Sequence, residues 1–263
     1  MMDIILQSAS VYMLIFCRMT AFFVVSPIFS SRSVPNSYKI GLSAIIAVFI
    51  LLIQGTNQAV PSDLSYLLVV IREILIGLLM GYVATLLFMV IQMAGSFIDI
   101  QIGFGIVNVL DPITGSSVPV LGNLKYVFAT LIFFSMNGHH YLLDAVIRSY
   151  NWIPLSNDVF QRIYNGNLSE FLIATFSQAF MLAFQMAAPL VVALFVTDVA
   201  LGFLARTAPQ FNVFVIGIPL KILVGLAMLL LLIPSFIYAF EHLFEVMFRA
   251  LHNLFTTIGE APK

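Results

Sequence analysis

Long apolar runs separated by short polar stretches dominate the chain. Six stand out, approximately Ile4–Phe29, Ile40–Ile53, Leu64–Ile100, Val118–Met136, Phe171–Leu204 and Phe211–Phe240. A membrane-spanning helix needs about 20 predominantly apolar residues. Ile40–Ile53 is short by that measure: at about 1.5 Å per residue it is near 21 Å long, against a hydrocarbon core of roughly 30 Å. Phe171–Leu204 is too long for one straight crossing. Pro189, near its middle, lacks an N–H and crowds the preceding turn. A long kinked helix and a helical hairpin both fit that stretch.

Two connectors between the runs are informative. Gly103 to Gly122 reads GFGIVNVLDPITGSSVPVLG and contains a helix-hostile Asp111-Pro112 pair, yet it stays apolar, unlike a solvated loop. Asn137 to Glu170 is polar and turn-prone, with Asn137-Gly138-His139, Trp152, Pro154, Asn157-Asp158 and Asn165-Gly166-Asn167, and is expected outside the hydrocarbon. With six spans, one side would hold Arg148, Arg162, Arg249 and Lys263, and the other Arg32, Lys39, Lys125 and Arg206. Equal numbers leave no positive-inside bias, so a simple serpentine is not supported.

Composition sharpens this picture. Of 263 residues, 61% are hydrophobic and 9% charged, whereas a soluble domain carries about a quarter charged residues. So few charges would leave a water-exposed globule covered in apolar patches. The bilayer is the expected solvent. The net charge of −1 and the absence of a basic stripe point away from nucleic acid. The N-terminus, Met1-Met2-Asp3, lacks a basic leader and runs into a stretch too long for a signal peptide, so the first segment is expected to stay as a membrane helix.

Ionisable residues inside the apolar runs are the strongest chemical signal. Arg18 falls in the first, Arg72 and Glu73 in the third, Asp198 in the fifth and Lys221 in the sixth. Each costs about 2.5–3.5 kcal/mol or more at a lipid-facing helix centre. Arg72 and Glu73, as sequence neighbours, are expected on different sides of their helix. Asp198 and Arg206 lie roughly 12 Å apart along the axis, beyond direct contact. Partners from other segments or other chains are therefore expected. Burial in a protein interface or against an aqueous path suits Arg18, Arg72, Glu73 and Asp198, while Lys221 and Arg206 can also reach the interface by extending their stems. Arg206 is expected to join the first four in buried pairs that hold the helices in register.

Gly77 and Gly81 form a GxxxG pattern that Thr85 extends, a stripe that lets helix backbones approach closely. The 25 Phe and 12 Met suit ordinary lipid-facing and core packing, with a deformable constriction as the second reading. The single Cys17 excludes an internal disulfide and reads as a small apolar residue. No P-loop, HExxH, GxSxG or CxxC occurs, and Gly103-Phe104-Gly105 lacks the third glycine of a dinucleotide loop. The adjacent His139-His140 pair lacks the i, i+4 spacing of helical metal ligands. No catalytic residue, cofactor or metal is expected.

Motifs follow one another in order along the chain: Arg18 with Ser26-Pro27-Ile28-Phe29, then Pro35, Lys39, Gly41 and Leu42; Glu73–Gly77 with Gly81; Gly95–Ile98, Gln101, Gly103 and Asp111-Pro112; and Asn137-Gly138-His139. The most specific block contains Asp198, Gly202, Arg206, Ala208-Pro209-Gln210, Asn212–Gly217, Pro219-Leu220 and Gly225, followed by Glu241–Phe244. Together these motifs resemble the FliR/SctT family of type III secretion export-gate proteins. The resemblance implies an all-α membrane protein of kinked helices and helical hairpins, with a FliP-like part at 1–170 fused to a FliQ-like hairpin part at 171–263. It implies a place in the flagellar export gate of the bacterial inner membrane, in the basal body, as part of the pore for unfolded flagellar proteins. Implied partners are FliP-like and FliQ-like gate subunits, FlhB-like and FlhA-like export proteins, cargo in transit and membrane lipid. It also implies a pore plug, placed on 103–122, with Phe104, Ile106, Val107, Leu110, Asp111 and Pro112 as sealing residues. Irregular backbone at membrane depth is tolerated when protein buries it or when it lines a cavity. The rival is a proton-coupled secondary transporter of a small solute using Asp198 and Glu73, although corresponding breaks in two halves are not found.

Overall fold

The structure is a computed structural model that describes residues 2–31, 34–54, 65–104, 119–155, 166–210 and 212–259. Among these residues every regular element is a helix: α1 (Met2–Val25), α2 (Asn36–Gln54), α3 (Ser65–Ile102), α4 (Val120–Ser135), α5 (Gly138–Trp152), α6 (Asn167–Thr207) and α7 (Val213–Ile258). Five are long and apolar enough to cross a membrane, and α4 with α5 would make a sixth if counted as one span.

The helix bounds depart from the hydropathy pattern in instructive ways. Helix α2 begins at Asn36, behind Pro35, whose carbonyl takes the amides of Tyr38 and Lys39. Its polar first turn adds the length that the apolar run lacked. Helix α5 occupies a stretch expected to be a polar loop. Leu142, Val146 and Tyr150 recur at i, i+4 and i+8 and are buried, which makes 138–152 amphipathic despite its Asn-Gly start. Asn137 adopts a left-handed φ of 56° and separates α4 from α5. Helix α6 is one helix of 41 residues with Pro189 inside it, so the hairpin alternative falls. Helix α7 continues past Phe240 to Ile258, because Leu243, Met247, Leu251, Leu254 and Ile258 keep a buried stripe at helical spacing.

The chain divides into two compact units that are interleaved in sequence: residues 1–88, 137–176 and 245–263, and residues 89–136 and 177–244. In the first unit α1 packs on α2 and also runs parallel to the first part of α3. Tyr66 donates to the Ser10 carbonyl at 3.1 Å, and Thr85 donates to that of Val25. Between these contacts a Cβ on Gly77 would overlap the Arg18 carbonyl oxygen, and one on Gly81 would meet the Phe22 carbonyl oxygen at 3.0 Å. The small stripe is thus the seam between α1 and α3.

In the second unit α6 and α7 run antiparallel, with Gly217 against Leu201 and Gly225 near Leu194. The end of α3 joins them through Phe97, whose ring lies 6.0 Å from Phe180 and 6.3 Å from Phe184. Much of α7 faces outward: Leu223, Leu230, Leu231 and Tyr238 are each 66–73% exposed.

Candidate functional site

The first ionic cluster is built on α1, α3 and the end of α5. Glu73 is fully buried and takes Nε of Arg18 at 2.6 Å and Nη2 of Arg18 at 3.1 Å, a two-pronged pair. Arg72 reaches the same carboxylate, with Nη2 2.9 Å and Nε 3.3 Å from Oε1. This corrects the expectation that Arg72 and Glu73 do not face each other. Neighbouring Cβ atoms diverge on a helix, but the arginine stem is long enough to curl back once other acceptors draw it the same way.

Those acceptors are the carbonyls that follow α5. Arg72 Nη2 donates to Leu155 O at 2.6 Å and to Pro154 O at 3.4 Å, while Arg18 Nη2 donates to Ile153 O at 3.0 Å. Carbonyls at a helix C-terminus lack intrahelical donors and carry partial negative charge, so they suit guanidinium groups. Arg18 Nη1 also donates to Ser149 Oγ at 2.9 Å, and its guanidinium lies 3.8 Å from the centre of the Tyr150 ring. The carboxylate, the carbonyls and the ring share the charge of two arginines.

The second cluster lies on α6, α7 and the end of α3. Lys221 Nζ contacts both Asp198 oxygens, at 2.9 Å and 3.0 Å, and Gln101 Nε2 donates to Asp198 Oδ2 at 2.9 Å. This pair is half-open, with 39% of the Asp198 side chain exposed, and it borders a cavity of about 280 Å³ with Leu201, Gly202, Val213, Gly217 and Ile218. Arg206, expected in a buried pair, is instead exposed in the last turn of α6, where a cation favours the negative helix end. Arg18, Arg72, Glu73 and Asp198 all have partners within the chain, so these charges supply no argument for neighbouring subunits.

Of the expected plug residues, only Phe104 is described; Ile106, Val107, Leu110, Asp111 and Pro112 lie outside the described residues. Phe104 is partly exposed and follows the end of α3. Among the described residues no group of three or more His, Cys, Asp and Glu could hold a metal ion.

Sequence reasoning missed three buried charges. Asp99 falls in the third apolar run and is buried against the start of α4. Lys125, within the fourth apolar run and counted only in the tally of charges on each side, is buried in α4, its ammonium 3.9 Å from the centre of the Phe236 ring and without a hydrogen bond among the described residues. Lys39, counted in the same tally, is buried in the first turn of α2. The available signal was the apolar context around each; weighing charges by nearest turn concealed it.

Long apolar helices with internally paired charges define a polytopic, all-helical membrane protein. Residues 9–247 match the family described as bacterial export proteins, family 1, and the chain belongs to it. Similarity to "Flagellar biosynthetic protein FliR" of Bacillus subtilis (strain 168) reaches 37% identity over 98% of this chain and 99% of that one. The protein of the same name from Escherichia coli (strain K12) is 31% identical over 93% of this chain and 91% of its own. "Yop proteins translocation protein T" of Yersinia pestis is 32% identical, covering 83% of this chain and 84% of its own. A secondary-transporter reading has no support in these relatives.

Proposed function

We propose that this chain is a membrane-embedded component of the type III protein export apparatus and forms part of the gate through which unfolded flagellar proteins pass. The match of nearly the whole chain to flagellar biosynthetic relatives carries this reading, with a Yop-protein translocation relative matching less of it. The outward apolar faces of α6 and α7 support a bilayer or neighbouring helices as solvent, since water would leave them as large patches.

In this reading the bacterial inner membrane at the flagellar basal body holds the protein. Residues 1–170 act as a FliP-like part and 171–263 as a FliQ-like part. FliP-like and FliQ-like subunits surround it, with FlhB-like and FlhA-like proteins alongside. The role is passage and sealing, with no bond-making step. The connector 103–122 plugs the resting pore, and the buried pairs hold the helices in register.

Mild detergent extraction of a tagged chain tests the assembly. Recovery in a large heteromer with FliP-like and FliQ-like proteins is expected; a stable monomer or homodimer free of them overturns the gate. Deleting the connector is expected to make the membrane leaky to small ions while assembly persists. Unchanged conductance removes the plug.

A further inference from the structure

Asp99 is in the last turn of α3, where its own helix disfavours a negative charge. It is nevertheless buried, only 3% exposed. Its carboxylate faces the start of α4: the amide of Leu121 lies 3.2 Å from each oxygen, and that of Gly122 3.5 Å from Oδ2. Among the described residues, the first α4 amide with a backbone acceptor behind it is that of Asn123, which donates to the Pro119 carbonyl at 2.9 Å. Proline at the N-cap makes no side-chain hydrogen bond, so α4 depends on a cap from elsewhere. A carboxylate at a helix N-terminus is favourable for charge and hydrogen bonding alike.

The backbone of the same residue ends α3. Gly103, at a φ of 102°, and Phe104 both donate to the Asp99 carbonyl, at 3.2 Å and 3.0 Å, while Gly103 also reaches Ile100 O. This is a Schellman termination, and glycine supplies its left-handed residue without strain. One turn earlier, the Gly95 backbone touches that of Gly122 so closely that a Cβ on Gly95 would overlap the Gly122 Cα. Gly95 and Asp99 share a helix face, so the glycine contact brings the α4 amides within reach of the carboxylate.

We propose that Asp99 is a positioning residue that ties both ends of the connector between α3 and α4 to one point, its carbonyl holding the outgoing chain and its carboxylate the returning one. The connector's ends then stay together in any state of the gate. The functional consequence rests on the plug reading; the clasp itself does not.

Hydrogen exchange on the assembled complex, read at single amides, tests the clasp, with ion leak through the same complex as a second readout. In Asp99→Ala the Leu121 and Gly122 amides are expected to exchange about ten-fold faster or more. Asp99→Asn keeps a carbonyl acceptor and is expected to show a smaller rise, which preserves the test should the alanine variant fail to assemble. Amides in the second half of α4 should hold their rate in the asparagine variant. Faster exchange confined to 121–122 with increased leak supports both clasp and plug. The same local rise without leak supports the clasp and removes the plug. Unchanged exchange at 121–122, or an equal rise throughout α3 and α4, overturns the clasp whatever the leak.

Discussion

In the first compact unit Glu73 has no exposed surface and lies between two guanidinium groups; in the second, Asp198 leaves 39% of its side chain open beside Lys221. Both carboxylates stand on apolar helices, yet their energetics differ. A fully desolvated cluster stabilises little against an apolar equivalent, but removing one member strands the others. A half-open pair beside a cavity leaves the surviving partner room to turn away, so losing one member costs less than at the closed cluster. Unit one is therefore a lock, whereas unit two has a loose tether.

The most severe break of that contrast is Glu73→Gln. It leaves Arg18 and Arg72 buried with a neutral neighbour, at an expected cost of about 3–5 kcal/mol. Protein level in the membrane and melting temperature in detergent should both fall; if both match the parent, the lock is not stabilising the unit. Next comes Gly77→Val, whose side chain would overlap the Arg18 carbonyl and cost about 1–3 kcal/mol. Gly202→Ala is its counterpart on α6, where a Cβ would meet open space. That change should be neutral or stabilising by about 0.5–1 kcal/mol. Equal effects on thermal stability from the two substitutions would refute close packing as the role of Gly77. The smallest effect is expected from Asp198→Asn, about 1 kcal/mol or less in the isolated chain. If its melting temperature drops as far as that of Glu73→Gln, the two clusters are alike and the comparison fails.

Charge in apolar sequence was the legible part of this protein. Arg18, Glu73 and Asp198 announced themselves because each lies inside a long apolar run, and the small stripe at Gly77 and Gly81 showed where backbones could meet. The partners were not legible. Ser149 and the carbonyls of residues 153–155 belong to a stretch whose Asn, Gly and Pro content signalled a loop, and that signal outweighed the spacing of Leu142, Val146 and Tyr150. Backbone acceptors also leave no trace in residue identity. Asp99 escaped because a single carboxylate near the end of a long run reads as a boundary charge, and only the proximity of Leu121 and Gly122 reveals its task. Pro189 left a kinked helix and a hairpin equally open, since local backbone chemistry allows both, and the structure takes the single helix.

The arrangement around Arg72 also sets a timetable. Its carbonyl partner Leu155 is 83 positions further along the chain. During synthesis from the N-terminus, Arg18 can meet Glu73 as soon as the third helix emerges, but the second arginine must wait for the fifth. Until then the nascent protein holds Arg72 against Glu73 alone, without the carbonyls of Pro154 and Leu155. Truncations that end before residue 153 leave the latch permanently unfinished.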